Sequence, residues 1–381
     1  MSRLARIIAL LLCLAASSCA STTPVPTTNL PPLTDTSAPS ATDTPTPLPS
    51  PTVAVRPLIS KDTILSLSPI ATWPSTETLT LAWSPDSTWF AAGDYEDMYR
   101  YPVSGAPREL ILSEANPFAI SPAAPSLVFQ PWIGDLSVLR LPSMVPEFSI
   151  PSPTRCPLGL VTSLAISRDG NTVAIGHEIE GGRDLPTASA VTLWDARAGS
   201  CKTVLPRLQG GIWDLSISPD ANWLIVSTNY YDAFLYEAKS DTHTCSFIAL
   251  SAQFNPAQNL FALHNIGDNV ISIWDPDDCR NTGALWGLED DPERDVSTLY
   301  PGAMAFTHDG AHLAAAPCYE RGYLRVWDAQ DPDPITTITH PSGSICKVAF
   351  SPDGRYMATA VRDPTTSYDT GDTLVLWAIP Q

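Results

Sequence analysis

Positive charge is scarce in this chain. The 381 residues include 21 Lys and Arg against 40 Asp and Glu, a formal net charge of −19. A nucleic-acid binder neutralises phosphates with clustered Lys and Arg, and electrostatic docking on anionic lipid needs a basic patch. The acidic residues are spread along the chain, as on a solvated surface. The composition therefore argues against a nucleic-acid partner and against membrane binding through basic residues.

Motifs of known chemistry are also missing. The eight cysteines form no Cys-x-x-Cys pair, and no Gly-x-Ser-x-Gly nucleophile elbow occurs. His308 and His312 are four residues apart, but they fall in a turn and a strand rather than on one helical face. The acidic run at 289–295 lacks the alternating spacing and the glycine of a calcium loop. We expect no catalytic residue, no metal and no cofactor, so the chain is predicted not to be an enzyme.

The chain begins with a targeting segment. Arg3 and Arg6 precede an apolar run at 7–16, which is too short to span a bilayer and is followed by small residues. The segment resembles a bacterial lipoprotein signal peptide, covering 1–18, in which Cys19 becomes the lipidated first residue. That family prefers Leu where this chain has Ala16. The resemblance implies an extracytoplasmic protein anchored to the bacterial membrane by a lipid on Cys19; the alternative is cleavage after Ala20 and secretion.

A tether follows at 19–56. Residues 21–56 hold 9 Pro, 10 Thr and 4 Ser, so 23 of 36 residues are poor core formers. Such a segment cannot bury enough apolar surface to fold, and an extended Pro-rich chain could reach roughly 100 Å from its anchor at about 3.1 Å per residue.

One sequence motif recurs seven times in the remaining residues. An apolar, alternating strand leads into a turn opened by Ser, Asn or Thr, often followed by Pro, Asp and Gly, which suits a tight turn between antiparallel strands. The seven turn openers are Ser84, Ser121, Ser167, Ser218, Asn255, Thr307 and Ser351. A second apolar strand and then a third, ending in an aromatic residue or Leu141, follow 17 to 27 residues after each opener.

Three Trp-Asp pairs, at 194–195, 274–275 and 327–328, and the Ser-Pro-Asp-Gly turn at 351–354 resemble the WD-repeat β-propeller family. The resemblance covers nearly all of 57–381 and implies an all-β fold, a seven-bladed β-propeller of four-stranded antiparallel blades. The Gly-His pair of that family is absent from most repeats, with His340 its nearest counterpart, so the hydrogen bonds that lock each blade are expected to be incomplete.

The seventh repeat ends after its third strand. Residues 62–72 stand before the first repeat, where an outer strand would lie. We expect them to close the ring by pairing with blade seven, which removes exposed sheet edges.

Three enlargements indicate a binding face. Residues 177–189 and 361–372 lengthen the connection between second and third strands, and 289–300 lengthens the segment that leads into a first strand. In a propeller these connections lie at one face, and loops on a rigid scaffold often carry binding residues. The candidate binding residues are His177, Glu178, Glu180, Arg183, Asp184, Glu289, Asp290, Asp291, Arg321, Arg362, Asp363 and Tyr368. The same placement predicts a disulfide between Cys318 and Cys346.

We therefore predict a membrane-tethered, monomeric binding or scaffold protein whose loop-rich face meets a protein or glycan partner. Its membrane contact would be through the N-terminal lipid alone. The alternative is a propeller enzyme, a hydrolase or lyase, with carboxylates in the central funnel. Two carboxylates, or a carboxylate and a histidine, converging there with raised pKa would favour the enzyme.

Overall fold

In the computed structural model the described residues run from 55 to 381, except 77, 95–96, 132–134, 151–157, 182–185, 239, 241, 266–269, 288–302, 319–321, 341–342 and 363–371. They form 27 β-strands and one 3-10 helix at Ile64–Ser66. No helix in this described part of the chain is long and apolar enough to cross a membrane.

Most strands belong to consecutive four-stranded sets. The first two sets are β2 (Thr80–Trp83), β3 (Trp89–Gly93), β4 (Asp97–Pro102) and β5 (Glu109–Ser113), then β6 (Ala115–Ile120), β7 (Ser126–Pro131), β8 (Leu136–Arg140) and β9 (Val145–Ile150). Two more are β10 (Val161–Ile166), β11 (Thr172–Gly181), β12 (Pro186–Asp195) and β13 (Ser200–Gln209), and, later in the chain, β21 (Ala303–Phe306), β22 (His312–Ala316), β23 (Tyr323–Asp328) and β24 (Pro334–Thr339).

One longer sheet lies between them. It consists of β14 (Ile212–Ile217), β15 (Trp223–Thr228), β16 (Asp232–Glu237), β17 (Thr242–Phe254), β18 (Phe261–Asn265), β19 (Ile271–Asp275) and β20 (Arg280–Leu285). The 13-residue β17 joins two sets, because residues 242–248 pair with β16 and residues 249–254 pair with β18. All these strand pairs are antiparallel, as short connections require.

The last sheet brings together the two ends of the described segment. It has the order β1 (Ser68–Pro74), β27 (Asp372–Ala378), β26 (Tyr356–Arg362) and β25 (Ser344–Phe350). Ser68 lies opposite Ala378 and Pro74 opposite Thr373. The paired strand starts at Ser68 rather than near residue 62, because 61–66 form a turn and the 3-10 helix, where the Thr63 hydroxyl donates to the Leu58 carbonyl at 2.7 Å.

The turns between first and second strands use the chemistry expected of their sequences. Ser84, Ser167, Ser218, Thr307 and Ser351 each donate a hydroxyl hydrogen bond to the Asp two residues later, at 2.6–2.7 Å. The same hydroxyl accepts a backbone N–H from the start of the following strand. The final turn position has positive φ at Gly170, Gly310 and Gly354, and also at Ser87 and Ala221, where no glycine is present.

Apolar residues are buried between neighbouring sheets. One cluster, for example, packs Trp89 and Ala91 of β3 against Phe118 of β6 and Leu127 of β7. The first strands of the sets also contact one another in a closed cycle, in the order β2, β6, β10, β14, β17, β21, β25 and back to β2. A nearly all-β chain of several four-stranded antiparallel sheets agrees with the predicted propeller class.

The residues around 177–189, predicted as an enlarged loop, partly continue two strands. β11 and β12 are 10 residues long, and their pairing runs out to Gly181 opposite Pro186. The insertion therefore extends a hairpin beyond the other second and third strands.

Candidate functional site

The cycle of first strands surrounds a central channel. Its cavity is about 670 Å³, and its wall takes residues from β2, β6, β10, β14, β17, β21 and β25. Small-molecule sites usually span about 300–1,000 Å³. Of the described residues that line it, Asp214 and Lys347 are the charged ones. The channel is therefore a candidate binding site that the sequence patterns did not single out.

Asp214 is the carboxylate of this channel. It is half-buried on β14, and its Oδ1 accepts a hydrogen bond from the Leu215 backbone N–H at 2.9 Å. Burial raises the pKa of Asp214 to about 6, against the opposing effects of the positive charge on Lys347 and of that hydrogen bond. The arrangement expected of an enzyme here is a second carboxylate or a histidine beside it. The described lining residues supply no second carboxylate and no histidine.

Most candidate residues of the loop-rich face lie outside the described residues. These are Arg183, Asp184, Glu289, Asp290, Asp291, Arg321, Asp363 and Tyr368, together with the side chain of Glu180. The structure places His177 and Glu178 on β11 and Arg362 at the end of β26. Both positions are at the same end of their sheets, where second strands lead into third strands; we call this end the loop face.

His177 supports the loop face from inside. The ring is 2% exposed, its Nδ1 accepts the Gly159 backbone N–H at 3.1 Å, and its Nε2 lies 3.1 Å from the Thr192 hydroxyl. Burial lowers its pKa, so the neutral ring is favoured. Glu178 is half-buried beside it, and its backbone N–H donates to the Leu160 carbonyl at 2.8 Å. The imidazole is therefore enclosed rather than presented to a partner.

Arg362 belongs to a contact between two sheets. Its Nε is 3.5 Å from Oδ1 of Asp372, whose side chain is 2% exposed. The other carboxylate oxygen, Oδ2, accepts the backbone N–H of Thr78 at 2.6 Å. Because Thr78 precedes β2 and Asp372 begins β27, this carboxylate ties the first set of strands to the last sheet.

Three large apolar side chains on the loop face are exposed. Leu160 is 67% exposed, Ile179 is 41% exposed and Tyr230 is 58% exposed. Leu160 precedes β10 and bonds to β11, while Tyr230 lies between β15 and β16, in the connection next along the cycle. Exposed apolar surface on one face is a candidate for contact with a partner. We call Leu160, Ile179 and Tyr230 the apolar patch; only alignment of the repeats could have indicated it in the sequence.

Cysteine pairs link neighbouring strand sets. Cys318 and Cys346 form a disulfide with their Cα atoms 4.4 Å apart, and Cys245 and Cys279 form a second with Cα atoms 6.5 Å apart. Cys201 is also disulfide-bonded. The sequence pointed to the first of these pairs and left the others open.

No group of three or more His, Cys, Asp or Glu side chains in the described ranges could hold a metal ion. His308 lies in the turn after Thr307, and His312 begins β22 with 4% exposure. The two rings thus occupy the turn and strand positions that their sequence context predicts.

Comparisons with known proteins point to one class of repeat. Residues 332–368, from β24 into the segment after β26, match the family described as WD domain, G-beta repeat. The chain is 24% identical over 198 residues to Autophagy-related protein 16 of Arabidopsis thaliana, covering 49% of this chain and 35% of that protein. It is 26% identical over 101 residues to Protein LST8 homolog of Drosophila melanogaster, covering 23% and 32%.

The chain thus spans about a third of the length of each of these relatives. The match at 332–368 is to a WD repeat, and the repeated four-stranded sheets agree with that class of fold.

Proposed function

We propose that this protein is a non-catalytic, protein-binding scaffold: a monomeric, seven-bladed propeller displayed outside the bacterial membrane on the 19–56 tether. Cys19 carries the lipid, and the propeller contacts its partner through the loop face. The alternative partner for the same face is a glycan. WD-repeat relatives are typical interaction proteins, which favours a protein partner.

The apolar patch is the observation that carries this proposal. Leu160, Ile179 and Tyr230 are large side chains left exposed on the loop face. Tyr is enriched among the residues that contribute most of the energy of protein interfaces, and covering exposed Leu and Ile side chains adds apolar burial. A glycan would be held mainly by hydrogen bonds, which three such side chains supply poorly.

Two further observations support the architecture. The closed cycle of seven first strands is what seven blades would give, if β17 serves as the outer strand of one blade and the inner strand of the next. The β1–β27 pairing supplies the last sheet with the fourth strand that the seventh repeat lacks, as ring closure requires.

The channel favours binding over hydrolysis. Most glycoside hydrolases use two carboxylates that flank one bond. Asp214 has Lys347 as its charged counterpart in the described wall, in place of a second carboxylate or histidine.

A crosslinking comparison tests the binding face. The full-length protein and a variant with Leu160→Ser, Ile179→Ser and Tyr230→Ser are displayed on cells and treated with a short crosslinker. The control variant carries Leu110→Ser, Val145→Ser and Ile248→Ser, which are 53%, 56% and 70% exposed on outer strands or outer-strand segments. We expect one defined protein adduct with wild type and control that is lost in the patch variant; equal adducts in all three would refute the loop face as the binding site.

A labelling experiment tests the anchor. Wild type and Cys19→Ala are expressed with a clickable fatty acid and partitioned between detergent and aqueous phases. We expect label and detergent partitioning with wild type alone. Unlabelled, water-soluble wild type would instead support secretion after cleavage at Ala20.

A further inference from the structure

Seven equivalent residues lie at one level of the central channel. Each stands four residues before the turn opener of its repeat, so all of them are the same distance from the turn end of their strands. They are Thr80, Pro117, Ser163, Asp214, Ser251, Ala303 and Lys347. All seven line the cavity. We call them the channel ring.

The strands are distorted just before this level. The pairing register shifts between Val161 and Ser163, between Ile212 and Asp214, between Ala249 and Ser251, and between Ile345 and Lys347. A β-bulge redirects the side chains beside it and is frequent next to binding sites. In four of the seven first strands, the residue after the shift is the polar or charged member of the channel ring.

The channel ring has more polar groups than the positions two residues further along each strand. The channel ring has one carboxylate, one ammonium group and the hydroxyls of Thr80, Ser163 and Ser251. Two positions nearer the turns, five of the seven repeats have alanine. Those residues are Ala82, Ala119, Ala165, Ala305 and Ala349, with Ser216 and Gln253 in the other two repeats. At this second level the residues that line the cavity are therefore small, except for Gln253.

The charged groups face each other from non-neighbouring strands. Asp214 is on β14 and Lys347 on β25, and the cycle places β17 and β21 between them on one side. On the other side lie β10, β6 and β2. A molecule inside the channel can therefore contact Asp214 with one of its ends and Lys347 with the other.

Two polar groups of the ring lack protein hydrogen bonds that would satisfy them. The Ser251 side chain is 3% exposed, and its hydroxyl has no hydrogen-bond partner among the described residues. The described residues give the Asp214 carboxylate one hydrogen-bond donor, the Leu215 N–H, although an ionised carboxylate can accept about four. Buried polar groups are normally satisfied, so unsatisfied ones in a cavity indicate a ligand or water.

We propose that the channel ring binds a small zwitterion, such as an amino acid or a short peptide, with its ammonium group at Asp214 and its carboxylate at Lys347. The Ser251 hydroxyl, on β17 next to β14, accepts a hydrogen bond from the ammonium group. The cavity of about 670 Å³ holds a ligand of this class and excludes a folded domain.

Binding of ω-amino acids to the full-length protein tests this assignment. The series from glycine to aminooctanoate has one ammonium and one carboxylate at increasing separation, so it measures the span between Asp214 and Lys347. We expect calorimetry at neutral pH to give an affinity that peaks at one chain length. An alkylamine and an alkyl carboxylate of that length should each bind at least about tenfold more weakly, because each makes one charge-assisted contact instead of two.

Three variants assign the contacts. Asp214→Asn and Lys347→Met should each lower the affinity for the best ω-amino acid at least about tenfold, since each removes one charge-assisted bond. The double exchange Asp214→Lys with Lys347→Asp should restore binding in the reverse orientation, which separates a charge effect from a folding effect. Thermal unfolding of each variant checks the fold.

The proposal is overturned if the affinity does not depend on the chain length of the ω-amino acid. It is also overturned if the folded single variants bind the best ω-amino acid as tightly as wild type does. If the single variants do not bind and the folded exchange variant does not bind either, the two-ended arrangement is also contradicted.

Discussion

Asp214 and Asp220 lie six residues apart on one strand and its turn, yet their environments are opposite. Asp214 faces the channel, where burial raises its pKa to about 6. Asp220 is exposed in the turn; burial alone would raise its pKa, but hydrogen bonds from Ser218 and Asn222 outweigh that effect and lower it. The channel wall thus disfavours its carboxylate, whereas the turn stabilises its own.

The difference shows that the fold provides hydrogen-bond partners for the carboxylates in the turns. The pKa values of Asp86, Asp169 and Asp309 are lowered as well, because hydrogen bonds to their carboxylates outweigh burial. These aspartates are part of the repeated turn and contribute to stability. Asp214 occupies a repeat position where the other repeats have neutral side chains or Lys347, so the repeat itself does not require a carboxylate there.

The largest effect is expected where a buried carboxylate has its partners. Asp372→Ala removes the acceptor of the Thr78 N–H and the counter-charge of Arg362, between the first strand set and the last sheet. Leaving the buried Thr78 N–H without its acceptor costs about 1–3 kcal/mol, and losing the ion pair with the partly exposed Arg362 adds to that. Urea unfolding should show that loss, whereas Asp333→Ala, exposed between β23 and β24, should change stability by less than about 0.5 kcal/mol. Equal stability of the two variants would mean that Asp372 does not join the sheets.

The second-largest expected effect is a gain in stability rather than a loss. Asp214→Asn should stabilise the protein by up to about 3 kcal/mol at neutral pH, because a folded-state pKa of about 6 lies well above the usual value for an aspartate. In wild type the folded state binds the proton more readily than the unfolded state does. The free energy of unfolding should therefore rise as pH falls from about 6 to about 4, and the Asn variant should lack this rise.

Lys347→Met sharpens that test. The Lys347 charge opposes the upward shift, so its removal should raise the pKa of Asp214 further and widen the pH range of the effect. A pH profile of unfolding that is the same in wild type and Asp214→Asn would show that the channel does not disfavour the carboxylate.

The sequence predicted the turns better than the channel. Ser218, Pro219 and Asp220 have a local chemistry that needs no tertiary context, so their hydrogen bonds and the all-β class follow from the repeat. Asp214 has no local signature. Its importance comes from where neighbouring strands place it, and only alignment of the seven repeats four residues before each opener would have marked it beside Lys347.

The loop face was predictable in outline only. The counting of residues between openers and aromatic positions located the insertion that extends β11 and β12. It could not tell that His177 would be enclosed by Gly159 and Thr192, because the segment before β10 is brought over the ring by tertiary packing.

A smaller loss is expected from the turn hydroxyl itself. Ser218→Ala removes the donor to Asp220 and the acceptor of the Trp223 N–H at a site that is 1% exposed. A buried hydrogen bond lost in this way costs about 1–3 kcal/mol. Ser218→Thr is the matched control, since Thr307 makes the same two bonds in another turn. Chemical denaturation should rank wild type and Thr close together, with Ala below; an Ala variant as stable as wild type would show that the turn does not depend on this hydroxyl.

The smallest effect concerns the charges of the turn aspartates, which are exposed and screened by water. Their lowered folded-state pKa values mean that their contribution is present above the usual aspartate value of about 3.9 and is lost as pH falls through the folded values. Replacing Asp86, Asp169, Asp220 and Asp309 by Asn keeps the acceptor oxygen but removes the charge. The fourfold variant should therefore lose less stability than wild type as pH falls below about 4, whereas the effect expected for Asp214→Asn lies above that pH and has the opposite sign. Acid-unfolding curves that coincide would mean that the turns hold these carboxylates without favouring their charged form, and the contrast between channel and turn would then rest on Asp214 alone.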